Sequence, residues 1–101
     1  MDLSHNKISD IKVLEKVKFE KLEIIYLSQN EISDINILEK VNLKELKELY
    51  LSKNKISDIK ILEKVKFEKL EILYLHGNQI SESENKSIIS KLKSKIKDFR
   101  V

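Results

Sequence analysis

Few side chains in this chain have the type and spacing that chemistry of their own would require. There are two histidines, His5 and His76, and no cysteine. A zinc site needs several convergent ligands, and the two histidines occupy different positions of the pattern described below, so we expect no metal. The serines lack a histidine base, and one glycine, Gly77, cannot form a phosphate-cradling loop. The sequence therefore predicts a protein that is not an enzyme and has no cofactor.

Three tyrosines are the strongest candidates for binding. Tyr26, Tyr50 and Tyr74 follow one another at intervals of 24 residues. Rigid aromatic side chains dominate the hot spots of protein interfaces. The alternative is that duplication copied one tyrosine and that neighbouring rings only stabilise each other. The choice depends on the elements that carry the three rings.

Those elements are internal repeats. Four asparagines recur at the same interval of 24 residues: Asn6, Asn30, Asn54 and Asn78. Around three of them an apolar pattern is complete: Leu22-x-x-Ile25-x-Leu27-x-x-Asn30-x-Ile32, Leu46-x-x-Leu49-x-Leu51-x-x-Asn54-x-Ile56 and Leu70-x-x-Leu73-x-Leu75-x-x-Asn78-x-Ile80. A period of about 20–29 residues with this pattern is typical of a solenoid.

These segments resemble the leucine-rich repeat family over essentially the whole chain. The Ile-Ser-Asp-Ile step after the first three asparagines resembles the subclass of the phosphatase-1 regulatory subunit and the internalins, although the repeat here is longer, at 24 residues. The resemblance implies a non-catalytic, scaffolding or regulatory protein-interaction module whose concave face binds a folded partner protein. Phosphatase binding is not carried across, because the repeat length and repeat number differ.

Each repeat is also interpretable from its residues. Alternation around Ile25 and Leu27 predicts a short strand, and tandem copies place such strands side by side in a parallel sheet. The asparagines are predicted to form a structural ladder that bonds to the backbone at a bend. Ser-Asp pairs such as Ser33-Asp34 are predicted to cap short convex helices. After each strand, a return arm leads the chain back to the start of the next strand. In the arm that follows Ser33-Asp34, Ile35, Leu38 and Val41 should point inward, and Asn36, Glu39 and Lys40 should face water. Phe19, Leu43 and Phe67 are predicted to close the arms.

The predicted fold class is thus an α/β leucine-rich repeat solenoid with a parallel concave sheet, short convex helices and a C-terminal capping helix. Its concave face is the candidate partner-binding site. Besides the tyrosines, the residues predicted to lie there are Ile24, Glu48, Ile72, Ser28, Ser52, His76 and Lys53.

The two ends of the chain carry separate predictions. Residues 1–80 should form the repeats, the first of them incomplete at its N-terminus. Its edge and apolar end are predicted to be exposed and prone to self-association around Leu3, Ile8, Ile11 and Leu14. Residues 81–101 should form an amphipathic capping helix, because Ile88, Ile89, Leu92, Ile96 and Phe99 recur at helical spacing. The alternative is a basic helix that binds acidic membranes or a partner.

Charge and hydropathy limit the classes of partner that we expect. The chain of 101 residues is 37% charged with a net charge of +3, and residues 1–80 carry equal numbers of acidic and basic side chains. The excess therefore lies in the tail, without the basic stripe of a nucleic-acid binder. No apolar run is long enough to cross a bilayer. We expect a cytoplasmic protein that binds another protein and neither nucleic acid nor membrane, or alternatively a self-assembling repeat or a fragment of a longer array.

Overall fold

The computed structural model describes residues 1–16 and 20–101. Within them lie four strands, β1 (Ile24–Tyr26), β2 (Glu48–Tyr50), β3 (Ile72–Tyr74) and β4 (Asp98–Arg100), one α-helix, α1 (Lys86–Lys95), and three 3₁₀ helices, Ile11–Lys16, Asn36–Glu39 and Lys60–Glu63. The predicted closing role of Phe19 lies outside the described residues.

The four strands form one parallel sheet in the order β1-β2-β3-β4. The register pairs Ile25 with Leu49, Leu49 with Leu73 and Leu73 with Phe99. The first three of these central residues are almost fully buried, so one face of the sheet lies on the core. Asp2 adds an isolated parallel bridge to Tyr26 at the edge of β1. A parallel sheet with helical return arms and a C-terminal helix confirms the predicted α/β solenoid.

The return arms turn more tightly than the sequence predicts. The serines do not cap them: the residues before the second and third 3₁₀ helices are Ile35 and Ile59, neither with a side-chain cap. Instead, the aspartate before each 3₁₀ helix accepts a hydrogen bond from the backbone N–H two residues later. In the second arm, Asp34 Oδ1 accepts from Asn36 N at 2.9 Å. The same bond joins Asp10 to Lys12 N at 2.8 Å and Asp58 to Lys60 N at 3.0 Å. A carboxylate reaches its own backbone two residues on, whereas the shorter serine does not.

The core lies between the sheet and the return arms. Ile35 and Leu38 are buried as predicted, and Val41 is half-buried. The exposed positions of Asn36, Glu39 and Lys40 also agree with the prediction. Of the residues expected to close the arms, Leu43 is buried and Phe67 packs half-buried against the core.

One expectation about the N-terminal end is wrong. Ile11 and Leu14, predicted to be exposed, are only 1% and 2% exposed. They belong to the first 3₁₀ helix, which packs against the second, so the next return arm covers them. Leu3 and Ile8 are partly buried against the same core.

The C-terminal segment contains a strand that the sequence does not predict. The helix ends at Lys95, and Ile96 is already extended, with φ −104° and ψ 128°. Phe99 therefore lies in β4 beside Leu73 and not on the helix. Ile88, Ile89 and Leu92 do line the buried side of α1, which contacts the third 3₁₀ helix and β4. The apolar spacing was compatible with a continuing helix, but pairing with the free edge of β3 satisfies backbone groups that a longer helix would leave open.

Candidate functional site

The concave face of the sheet presents its side chains in rows that cross the strands. One row holds Tyr26, Tyr50 and Tyr74 in register. The first two rings stack, with centroids 4.7 Å apart and planes inclined by 13°. The second and third meet edge to face at 5.1 Å and 87°. We call these three rings the tyrosine ladder. Stacked and edge-to-face contacts are both favourable geometries for aromatic pairs.

Two of the three hydroxyl groups are held by carboxylates. Tyr50 donates to Glu48 Oε1, and Tyr74 donates to Asp98 Oδ2 at 2.6 Å. The bond to Glu48, with some desolvation, raises the pKa of Tyr50. The bond to Asp98 likewise raises the pKa of Tyr74, and the bond from Tyr74 lowers the pKa of Asp98. By accepting these hydrogen bonds, the two carboxylates fix two of the rings in place.

Asp98 and Arg100 belong to this face although the sequence did not indicate them. Both lie on β4, in the rows of Ile72 and Tyr74 respectively. The guanidinium carbon of Arg100 is 4.5 Å from the Tyr74 ring centroid, and Arg100 Nε lies 3.3 Å from Asp98 Oδ1. The alternation Asp98-Phe99-Arg100 was the available signal for a strand, but three residues are too few to separate it from the helical pattern.

The neighbouring row mixes apolar and acidic side chains. Ile24, Glu48 and Ile72 are aligned across β1, β2 and β3, as the sequence predicts, and all three are half-buried. Glu48 therefore lies between two partly exposed isoleucines while it holds the hydroxyl of Tyr50. This row supplies apolar surface beside the tyrosine ladder.

The third row is less accessible than the sequence suggests. Ser28 Oγ and Ser52 Oγ are hydrogen-bonded at 3.0 Å, and Ser52 is only 8% exposed. Ser52 therefore offers little surface to a partner. His76, half-buried, takes the corresponding place in the third repeat with its ring 5.6 Å from that of Tyr74. Its Nδ1 is buried without a hydrogen-bond partner among the described residues.

Beyond this row the backbone turns through a left-handed conformation. Gln29, Lys53 and Gly77 have φ values of 59°, 57° and 77°. A β-carbon on Gly77 would lie 3.0 Å from Lys53 Cγ and 3.2 Å from Lys53 N. Only glycine is free of strain here, so the exposed Lys53 is held in a costly conformation by the repeat geometry.

The asparagines lie beside this turn, and three of them, Asn30, Asn54 and Asn78, bond to two repeats each. Asn54 Nδ2 donates to Leu51 O and to Leu27 O, both at 3.0 Å, and its Oδ1 accepts from Ile32 N at 3.1 Å. Asn30 and Asn78 make the equivalent bonds. Asn6 is exposed and donates only within its own bend, to Leu3 O and Ser4 O. Such saturation is the pattern of structural amides.

The described residues offer little else on which chemistry could be built. They contain no group of three or more histidines, acidic residues or cysteines that could hold a metal ion. None of the helices in the described ranges is long and apolar enough to cross a membrane.

A family model described as leucine-rich repeats matches two segments, residues 1–40 and 44–94. The protein belongs to the leucine-rich repeat family. Members of this family typically mediate protein–protein interaction and are typically non-catalytic. A comparison with curated proteins gives no significant match.

Proposed function

We propose that this protein is a non-catalytic interaction module that binds a partner protein through the concave face of its sheet. The observation that carries the proposal is the tyrosine ladder, three aligned rings of which Tyr26 is 37% exposed. The partly exposed Ile24 and Ile72 widen the apolar surface beside it. Exposed aromatic and apolar side chains gathered on one face mark protein contacts.

The hydrogen bonds of the ladder support the same proposal. Tyr50 and Tyr74 are held by ring contacts and by carboxylates, so they lose little conformational freedom when a partner arrives. These contacts also stabilise the sheet, which is what the alternative interpretation of the tyrosines requires. The exposed ring of Tyr26 is the part that folding alone does not explain.

The proposed role is scaffolding or regulation in the cytoplasm. The subclass of the phosphatase-1 regulatory subunit and the internalins remains our suggestion for the nearest relatives. It depends on the Ile-Ser-Asp-Ile step, while the 24-residue spacing of the asparagines is longer than that subclass uses.

Site-specific photo-crosslinking tests the concave face directly. A benzoylphenylalanine at position 26 conserves an aromatic ring on the concave side, and the same residue at position 36 lies on the exposed convex side. After irradiation in a lysate of the source cells, we expect discrete crosslinked partners from position 26 only. Products from position 36 alone, or from neither position, would contradict the proposal.

A second candidate function, self-association, has an observation of its own. The large hydrophobic residues that are exposed among the described ones are Met1 and Tyr26, and both lie at the β1 side of the sheet. If this end pairs with a second copy, sedimentation velocity should show a species that grows with concentration. Leu3→Asp, with a circular dichroism spectrum like that of the wild type, should then dissociate it, whereas Ser9→Asp, which adds the same charge at an exposed position, should not. A monomer at all concentrations excludes this candidate.

A further inference from the structure

The two ends of the tyrosine ladder are built differently. At the β4 end, Arg100 lies over Tyr74, with 4.5 Å between the guanidinium carbon and the ring centroid. Asp98 holds the same guanidinium through Nε at 3.3 Å. The chain thus closes this end of the ladder with a cation between an aromatic ring and a carboxylate, an arrangement that is favourable for arginine.

At the β1 end, one component of that arrangement is missing. Tyr26 stacks on Tyr50 with one face, and within the described residues no cation lies over its ring. The neighbour of Tyr26 in the same row is Asp2, so an acid stands where the other end has Arg100. The ring and a carboxylate are both present, but no cation of the described residues lies over the ring, and the Met1 ammonium donates to Ile24 O at 3.1 Å.

The Asp2 carboxylate is held in a defined position. It accepts a hydrogen bond from Ser4 N at 3.0 Å, and this bond lowers the pKa of Asp2. The hydroxyl of Tyr26 has no carboxylate acceptor in the described contacts, unlike those of Tyr50 and Tyr74. Among the described residues, Asp2 is the acid that pairs in register with Tyr26.

We propose that the partner places an arginine side chain on the open face of Tyr26 and pairs it with Asp2. This inference rests on the proposed function and adds the chemistry of the contact. Arginine fits better than lysine because a planar guanidinium can stack on the ring while its N–H groups donate to a carboxylate. The Tyr74, Asp98 and Arg100 cluster is the intramolecular example of the same contact.

The test selects peptides from a random display library on the immobilised chain and measures their affinities with purified variants. Tyr26→Leu retains apolar bulk without a π-face, and Tyr26→Phe retains the π-face. Peptides that require the ring should bind Tyr26→Phe within about two-fold of wild type and bind Tyr26→Leu at least about five-fold more weakly, the range of an interfacial cation–π contact. Replacing one arginine of such a peptide by glutamine should weaken binding similarly.

Asp2→Asn separates the carboxylate from the ring. It should weaken the arginine peptide by about three-fold or more and leave the glutamine peptide unchanged, because the two groups act as a pair. Urea midpoints check that each variant folds. If Tyr26→Leu does not fold, Asp2→Asn together with the arginine-to-glutamine substitution in the peptide tests whether the partner's arginine pairs with Asp2.

The outcomes distinguish this inference from the proposed function. Peptides that lose binding to an Ile72→Ser variant but do not depend on arginine or Asp2 would overturn the inference and leave concave-face binding intact. A selection in which no peptide depends on Tyr26 or Ile72 would overturn both.

Discussion

At the residue scale, the asparagines show how a repeat can be closed where the turn residue is not glycine, as at Gln29 and Lys53. Each full repeat bends where Lys53 or its equivalent takes a left-handed conformation, and the adjacent asparagine satisfies the backbone groups that the bend exposes. Asn54 also reaches the preceding repeat through Leu27 O. One side chain therefore stabilises both the turn and the stacking of neighbouring repeats.

The value of these bonds depends on burial. Asn54→Ala removes four hydrogen bonds at a buried position and leaves carbonyl groups unpaired, so it should lower the free energy of unfolding by about 3 kcal/mol. Asn6→Ala, at an exposed bend, should cost less than about 1 kcal/mol. Urea unfolding followed by circular dichroism measures both, and equal effects would contradict the ladder as the reason for the difference.

Tyr50 gives the sheet a dependence on alkaline pH. Its pKa is raised in the folded state by the bond to Glu48, so the proton is lost from the unfolded chain first, near pH 10. The stabilisation is complete below that pH and is lost as the pH rises through the folded pKa.

We expect the urea midpoint of the wild type to fall between about pH 9.5 and 11. Tyr50→Phe cannot ionise, and Glu48→Gln lacks the charge that opposes ionisation, so both should show a shallower fall. Slopes identical to that of the wild type would show that this hydroxyl does not contribute.

At the element scale, β4 makes the C-terminal segment part of the sheet, in addition to covering the last repeat. Phe99 pairs with Leu73 and packs half-buried against the core, while α1 lies on the last return arm. Phe99→Ala should therefore destabilise the protein by about 2 kcal/mol. Arg100→Ala, on the exposed side of the same strand, should cost less than about 1 kcal/mol. Thermal unfolding of the two variants checks this, and a neutral Phe99→Ala would argue against a structural role of the strand.

At the scale of the whole molecule, the stability of each repeat depends on hydrogen bonds to its neighbours. The backbone N–H of Leu3, Leu27 and Leu51 donates to the next repeat at 2.8, 2.8 and 2.9 Å, so the three bonds are nearly alike. Only their places in the array differ. In a solenoid, local stability depends on neighbours on both sides.

Native-state hydrogen exchange should therefore separate these amides. We expect Leu3 to exchange at least about ten-fold faster than Leu51, with Leu27 closer to Leu51, because the end of an array opens without unfolding the rest. NMR detection of the three amides gives the order. Equal rates for Leu3 and Leu51 would mean that the molecule opens only as one unit.

Much of this architecture followed from the repeat alone. Identical apolar positions in tandem can bury their side chains only by stacking, and this fixed the parallel sheet, the tyrosine row and the inward Ile35 and Leu38. The sequence failed where two local structures suit one pattern. Ile96 and Phe99 fit a helix face as well as a strand, and Ser33 is as good a cap as Asp34 on propensity.

The sequence by itself determined that the chain is a leucine-rich repeat solenoid with three aligned tyrosines, because periodicity is a local property that survives without coordinates. Only the tertiary structure decided which side chains are accessible and which are joined. In that structure Ser52 is buried, and Asp98 and Arg100 on β4 contact Tyr74. Tyr26 is exposed and pairs in register with Asp2. The physical reason is that burial and pairing depend on contacts between repeats and on the last strand, which no single repeat encodes.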